Sequence, residues 1–198
     1  MPTRLDAVEV RPRTLSAGPP DAVASAVLVL VAPDREPAGG AEAEVILIER
    51  VDRGGHHSGE ISFPGGRTED DEDAPMTALR EAREEVGLDA NAAGVRVVGL
   101  LEPFWIPVSN FMVHPVLAIA AVPPVLRPSP DEVASIVPAP LDGFLPGARI
   151  ELVEREVRGT RLRFGGYPVA GHLVWGATAR VLGQLGEGLA PAHGSVAS

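Results

Sequence analysis

The 198-residue chain is 45% apolar and 22% charged, with a net charge of −10, no cysteine, and only arginine among its 17 cationic residues. That length and apolar content suit one globular domain with a sizeable core. The negative balance argues against a nucleic-acid surface, which needs a basic face, and the missing cysteines exclude a disulfide framework, a thiol nucleophile and a cysteine metal site.

Residues 1–21 are rich in Pro, Arg and Ala without periodicity and are expected to form a loosely held arm; they lack the basic start and apolar core of a signal peptide. The Val-rich run "AVASAVLVLVA" (22–32) is too short to span a bilayer and suits a buried strand. These two features make a soluble cytoplasmic protein, with no membrane partner, the expectation. A turn-rich stretch (33–43) then leads to a second strand, "EVILIER" (44–50), forming a hairpin. Two further strands are expected at 94–104 and 111–122, around the loop "WIPVSN". An irregular connection with a short strand covers 128–145, and "ARIELVEREV" and "TRLRFGGYPV" flank "RG" as another hairpin. A helix over 174–188 follows, with Trp175, Thr178, Leu182 and Leu185 at core spacing. Residues 189–198 read as a frayed tail, which leaves a single domain over 22–188. Strands with two helices make an α/β chain: a mixed sheet with helices packed on it.

The first helix lies in "GGRTEDDEDAPMTALREAREEVGL" (65–88). Asp73 is a suitable cap, Pro75 sits in the first turn, and Gly87 is the left-handed stop. Ala78, Leu79, Ala82 and Val86 form the stripe that must face the core, and Glu81, Glu84 and Glu85 share an adjacent face. As a stability design this is poor. Like charges three or four residues apart cost roughly 0.2–0.5 kcal/mol per pair. Anions in the last turn oppose the macrodipole by roughly 0.3–1 kcal/mol each. A divalent cation held by hard oxygen ligands resolves both conflicts, with Mg²⁺ or Mn²⁺ favoured over zinc. A solvated charged face, partnered by Arg80 and Arg83, is the competing reading for "REAREE" alone.

The wider spacing decides between them. From Gly66 the chain reads G-x5-E-x7-R-E-U-x-E-E-x-G-U, with Glu72, Arg80, Glu81, Ala82, Glu84, Glu85, Gly87 and Leu88 in the later places. A chance match is on the order of 10⁻⁹ per starting position. The pattern, over 66–88, resembles the Nudix box of the Nudix hydrolases, with Ala82 in the aliphatic place. The resemblance implies an α/β/α sandwich with a mixed sheet and a catalytic loop–helix–loop, acting on a diphosphate joined to another group. It implies that Glu81, Glu84 and Glu85 hold Mg²⁺ or Mn²⁺, aided by the carbonyl of Gly66, while Arg80 orients a glutamate through a salt bridge. One of the glutamates is favoured as the general base, and a homodimer is compatible with the family.

Upstream, "ILIERVDRGGHHSGEISFPGG" (46–66) resembles the additional motif of coenzyme A pyrophosphatases, with Arg50, Gly59, Phe63, Pro64, Gly65 and Gly66 in place. Gly55 stands where that motif has Arg, Val51 where it has Ser or Ala, and Ile48 where it has Thr; Arg53 is the nearest replacement for the missing charge. "VSNFMVHPVLAI", "PDEVASIVPAPL" and "HLVWGATARVL" are similar to the same subfamily. Arg50, Arg53, His57 and Phe63 are the implied substrate contacts. For His56 and His57 an ordinary polar loop is the alternative. Phe104 and Trp105 are read as packing on the sheet rather than stacking on a base, and His114 as structural. The implied substrate is coenzyme A or a thioester of it, cleaved to 3′,5′-ADP and 4′-phosphopantetheine. ADP-ribose or NADH is the alternative substrate, and a non-catalytic nucleotide-sensing regulator the alternative class.

Overall fold

In the computed structural model the described residues are 18–35, 42–52, 59–157 and 160–190. They form β1 (Val23–Pro33), β2 (Ala43–Arg50), β3 (Ile61–Ser62), β4 (Gly65–Arg67) and α1 (Ala74–Val86). Then come β5 (Arg96–Leu100), β6 (Phe104–Ile106), β7 (Phe111–Ile119) and β8 (Val133–Pro140), a 3-10 turn at Leu141–Phe144, β9 (Glu151–Val157), β10 (Thr160–Val169), β11 (His172–Val174) and α2 (Gly176–Leu189).

β1 is apolar apart from Ser25 because both its faces are covered. Ala26, Leu28, Leu30 and Ala32 pack with Ala78, Ala82 and Val86 of α1. Val29, with Val27 and Val31 beside it, packs with Val181, Leu182 and Leu185 of α2 on the opposite side. β2 divides the same way, Ile46 and Ile48 toward α1 and Val45 and Leu47 toward α2. One helix on each face makes the α/β/α sandwich, and the sheet is mixed because β1 runs parallel to β7 but antiparallel to β2 and β4.

The pairing of β1 with β2 is short and forks. It covers Val31–Pro33 against Ala43–Val45. Beyond that point β4 takes over β1's edge, placing Gly65–Arg67 against Ser25–Val27, and β3 pairs with Ile48 and Glu49 of β2. The Phe63–Pro64 link is thereby wedged between the two diverging strands, with Leu28 N–H donating to the Pro64 carbonyl at 2.8 Å. The short strands β3 and β4 are invisible to periodicity, yet they set the fork.

Other differences from the sequence reading have local causes. The strand expected over 94–104 ends at Leu100, ahead of Pro103, which has no N–H to give a ladder, and β6 takes up Phe104 with the first two residues of the expected loop; β5 itself carries a register shift between Val97 and Gly99. The stretch 128–145 contains an eight-residue strand, β8, paired along β2; Pro138 and Pro140 are exposed on it, as prolines on an edge strand can be. Trp175 caps α2 from outside and stacks on Phe164 with ring centroids 5.0 Å apart, whereas Leu182 and Leu185 are core. Phe104 is buried, Trp105 donates from its indole to Asn110 at 3.0 Å, and the His114 ring lies 3.2 Å from the Ser25 carbonyl. The expected arm and tail fall outside the described residues, apart from residues 18–21, 189 and 190. No helix among the described residues is long and apolar enough to cross a membrane.

α1 is stopped and started as its sequence requires. Asp73 accepts from the Met76 N–H at 2.9 Å, Gly87 is left-handed at φ 64°, and Leu88 donates back to Ala82 while burying its side chain. Asp73→Ala should therefore lower unfolding free energy by about 1 kcal/mol without touching the carboxylates farther along the helix. Urea denaturation measures the first part, and metal titration of the folded variant the second.

Candidate active site

The two glycines at the end of the wedge are required by what lies against them. A side chain on Gly65 would bring its Cβ within 2.6 Å of Val27 Cα, that is, into the backbone of β1. One on Gly66 would come within 2.6 Å of the carboxyl carbon of Glu81. The Glu81 carboxylate thus rests directly on the Gly66 backbone, in a cradle that any Cβ would fill.

Arg80 organises the loop before α1. Its Nε and Nη2 donate to the two oxygens of Glu72 at 2.7 and 3.0 Å, a bidentate fork. Nη2 also donates to the Arg67 carbonyl at 3.0 Å, and Nη1 to Glu81 at 3.0 Å and Glu84 at 3.2 Å. Glu72 gains two more donors, the Thr77 hydroxyl at 2.9 Å and the Glu69 N–H at 3.2 Å. These bonds, Arg80's first, hold the Glu72 carboxyl down at about 2, so it stays ionised. The sequence pairs Arg80 with Glu84 by helical spacing; the structure keeps that contact but makes Glu72, eight residues back in the loop, the principal partner. Glu72's place in the spaced motif was the signal for it.

The three helix glutamates occupy different surroundings. Glu84 is 49% exposed, Glu81 15% and Glu85 only 1%. Glu85 turns inward because it lies seven residues from buried Ala78, only about 20° away around the axis. One of its oxygens takes the Gly65 N–H at 2.9 Å, and the other faces Arg50 Nη1 at 3.2 Å. Burial is the main cause that pushes its carboxyl up to about 7, with the charges of Glu81 and Glu132 adding to it against the Gly65 and Arg50 contacts. Glu81 is also raised, by burial first, although Arg80 opposes this.

Glu132 carries no role in the sequence reading. Its N–H donates to the Ser129 carbonyl, and its own carbonyl accepts from Val51 N–H at 3.0 Å; Ser129 N–H in turn caps the Glu85 carbonyl at 2.8 Å. The only hint in the sequence was its position in "PDEVASIVPAPL".

Two of the expected substrate contacts lie among the described residues, Phe63 and Arg50. Phe63 is 3% exposed in the core on the α2 side, where an aromatic ring between two diverging strands fills space rather than meeting solvent. Arg50 pairs with Glu85. Arg53 and His57, with His56 and Gly55, lie outside the described residues.

The donors suit a hard divalent cation: three carboxylates and a backbone carbonyl, with the Gly66 cradle keeping Glu81 close to the main chain. As they stand, no three acidic or histidine side chains among the described residues converge closely enough to hold one. Guanidinium and amide donors take up the carboxylate charge instead.

Comparison with known proteins agrees with the motif. The NUDIX domain model matches residues 23–153. Nudix hydrolase 15, mitochondrial, of Arabidopsis thaliana is 38% identical over 148 residues, 71% of this chain and 51% of that protein. The Nudix hydrolase NudL of Cronobacter sakazakii is 37% identical over 161 residues, 79% of each chain. The crystal structure of a Nudix hydrolase from M. smegmatis, RenU, matches with a TM-score of 0.50 and 28% identity, over 62% of this chain and 73% of that one. The chain spans about half the length of the Arabidopsis relatives it matches.

The buried carboxyl makes a pH-dependent prediction. A Glu raised from 4.5 to about 7 in the folded state contributes stability that is fully present below about 4.5 and lost as pH rises through 7. The full loss is about 3 kcal/mol. Glu85→Gln keeps an acceptor for Gly65 and cannot ionise, so in EDTA at pH 8 it should melt higher than the parent, with the two converging near pH 5. Melting curves that stay parallel from pH 5 to 8 would show that Glu85 is not the strained group.

Proposed function

The chain belongs to the Nudix family, and from that premise we propose that it hydrolyses a nucleotide diphosphate joined to a second group, using divalent cations at the end of α1. The observation that carries the reading is the Glu81 carboxylate seated on Gly66 beside buried Glu85, with Arg80 gripping Glu81 and Glu84 together. Glu81, Glu84, Glu85 and the Gly66 carbonyl are the residues that would hold Mg²⁺ or Mn²⁺. When bound, the ions supply charge neutralisation for the diphosphate and make attacking water more acidic. The chain's own residues do the rest. Arg80 fixes the directions of Glu81 and Glu84, the Gly65 amide fixes one oxygen of Glu85, and Glu84, the most exposed of the three, is within reach of solvent as the proton acceptor.

The finer reading is hydrolysis of coenzyme A or its thioesters to 3′,5′-ADP and (acyl-)4′-phosphopantetheine, in the cytoplasm. Its support is the 46–66 motif, in which Arg50 stands at the site and Arg53 is the nearest cation to the place Gly55 has taken. That same glycine is the observation favouring another nucleotide, ADP-ribose or NADH. A regulator that binds without cleaving has no need of a complete carboxylate set, and this chain keeps Arg80, Glu81, Glu84 and Glu85.

Arg80→Lys retains charge but loses the fork on Glu72, so kcat should fall with KM changed less; a raised KM at constant kcat would place Arg80 on the substrate instead. For the substrate, kcat/KM is compared for coenzyme A, dephospho-coenzyme A, ADP-ribose and NADH in one buffer with one metal. Coenzyme A should lead, and Arg53→Ala should narrow its lead over the dephospho form. A tenfold win for ADP-ribose or NADH, about 1.4 kcal/mol in transition-state binding, would discard coenzyme A and leave the diphosphatase reading standing.

A further inference from the structure

Arg50 closes β2 just past a register shift in its pairing with β8. Its N–H donates to the Glu60 carbonyl at 3.1 Å, and its carbonyl accepts from Gly59 N–H at 3.1 Å. The backbone is therefore pinned on both sides at the base of the 51–58 segment, and only the side chain is free to move. That side chain reaches Glu85 from the solvent side: it is 35% exposed, its partner 1%.

The two oxygens of Glu85 are thus held in different ways. One takes the N–H of Gly65, a β4 residue held against Val27 of β1, so this donor cannot leave without moving the strand. The other takes a guanidinium on a long, partly exposed stem. A Mg²⁺–oxygen contact is about 2.0–2.1 Å, and a guanidinium at 3.2 Å from the same oxygen would face that ion as a like charge at close range. Of the two donors, only Arg50 can give way.

We propose that Arg50 is a positioning residue that stands in for the divalent cation at Glu85. It engages Oε1 while the site is metal-free, leaves that oxygen when metal is bound, and then presents its freed guanidinium to the anionic substrate. The proposal rests on the reading of Glu85 as a metal ligand. It couples two binding events through one side chain: Arg50 opposes the metal until the diphosphate offers it another anion, and by linkage each ligand then strengthens the other.

The test is Mn²⁺ binding to the substrate-free protein, followed by calorimetry and by the electron spin resonance signal of free Mn²⁺, with melting temperature in EDTA as the folding control. Arg50→Gln keeps a hydrogen-bond donor for Glu85 and removes the charge, so it should bind Mn²⁺ about fivefold more tightly or better, while KM for the diphosphate substrate rises. Arg50→Lys keeps the charge and should stay close to the parent in Mn²⁺ affinity. Unchanged or weaker Mn²⁺ binding in Arg50→Gln overturns the proposal, as does a lysine variant that tightens as much as the glutamine one. Glu85→Gln separates the two levels of the argument. If it binds Mn²⁺ as the parent does, the assignment of Glu85 as a ligand fails; if it loses affinity while Arg50→Gln gains none, only the role of Arg50 fails.

Discussion

The structure depends on one guanidinium with several anionic neighbours. Arg80 is bound to Glu72 in the loop, the Arg67 carbonyl at the end of β4, and Glu81 and Glu84 on its own helix. It ties three segments together: the loop before α1, the end of β4 and α1 itself. The tie requires β4 to lie beside α1, which requires Gly65 to press against β1 and Gly66 to leave room for Glu81. Those glycines are where they are because β1 and β2 diverge after three paired residues and admit the wedge between them. The fork in the sheet and the clamp on the helix are therefore two ends of one arrangement.

Charge is divided unevenly within that arrangement. Glu72 has four donors and is held far below the ordinary carboxylate range, so its anion is committed to the scaffold. Glu81 and Glu85 are displaced the other way by burial, each with other carboxylates adding to the strain. A buried ion pair is weak evidence of stability in itself, because desolvation offsets the attraction. The strain persists because the sandwich on either side of the sheet is well supplied with core. The helix end is also relieved from outside, by Arg127 N–H on the Val86 carbonyl and Ser129 N–H on that of Glu85. Local rules broken at one place and compensated elsewhere are what a functional site looks like in physical terms.

Sequence showed some of this and hid the rest for identifiable reasons. The limits of α1, the strands β1 and β2, the β9–β10 hairpin and the apolar face of α2 are written in short-range pattern, and they stand close to where the pattern put them. The strands β3, β4 and β11 are two or three residues long, below what any period can reveal. β8 is foreseen only as a short strand in an irregular connection; its full eight residues are hidden by prolines, which matter only if a strand's outer edge must be paired. Within the site, Arg80–Glu84 follows from helical spacing, but Arg80–Glu72 crosses a loop and Arg50–Glu85 spans 35 residues, so tertiary structure alone brings them together. Glu85's burial was within reach of a helical wheel, since it falls almost over Ala78. Its membership in a charged motif drew it onto the polar face instead.

The three glutamates end up with three kinds of anchor, and that difference bears on what they do. Glu85 is fixed by the Gly65 amide of β4 and almost closed off from water, so its position is set by the sheet. Glu81 is fixed by contact with a glycine backbone, so its position is set by β4. Among the described residues Glu84 has only the long Nη1 contact, and half its surface is in solvent, so it can rotate. On the proposed reading, a site that binds cations firmly and also passes a proton needs ligands that stay and one that adapts. A helix presenting all three glutamates to solvent alike would supply the charge without that distinction. Turning α1 so that Glu85 faces the core and Glu84 the solvent supplies both, at the cost of one buried carboxylate whose second oxygen, once ionised, needs a positive partner.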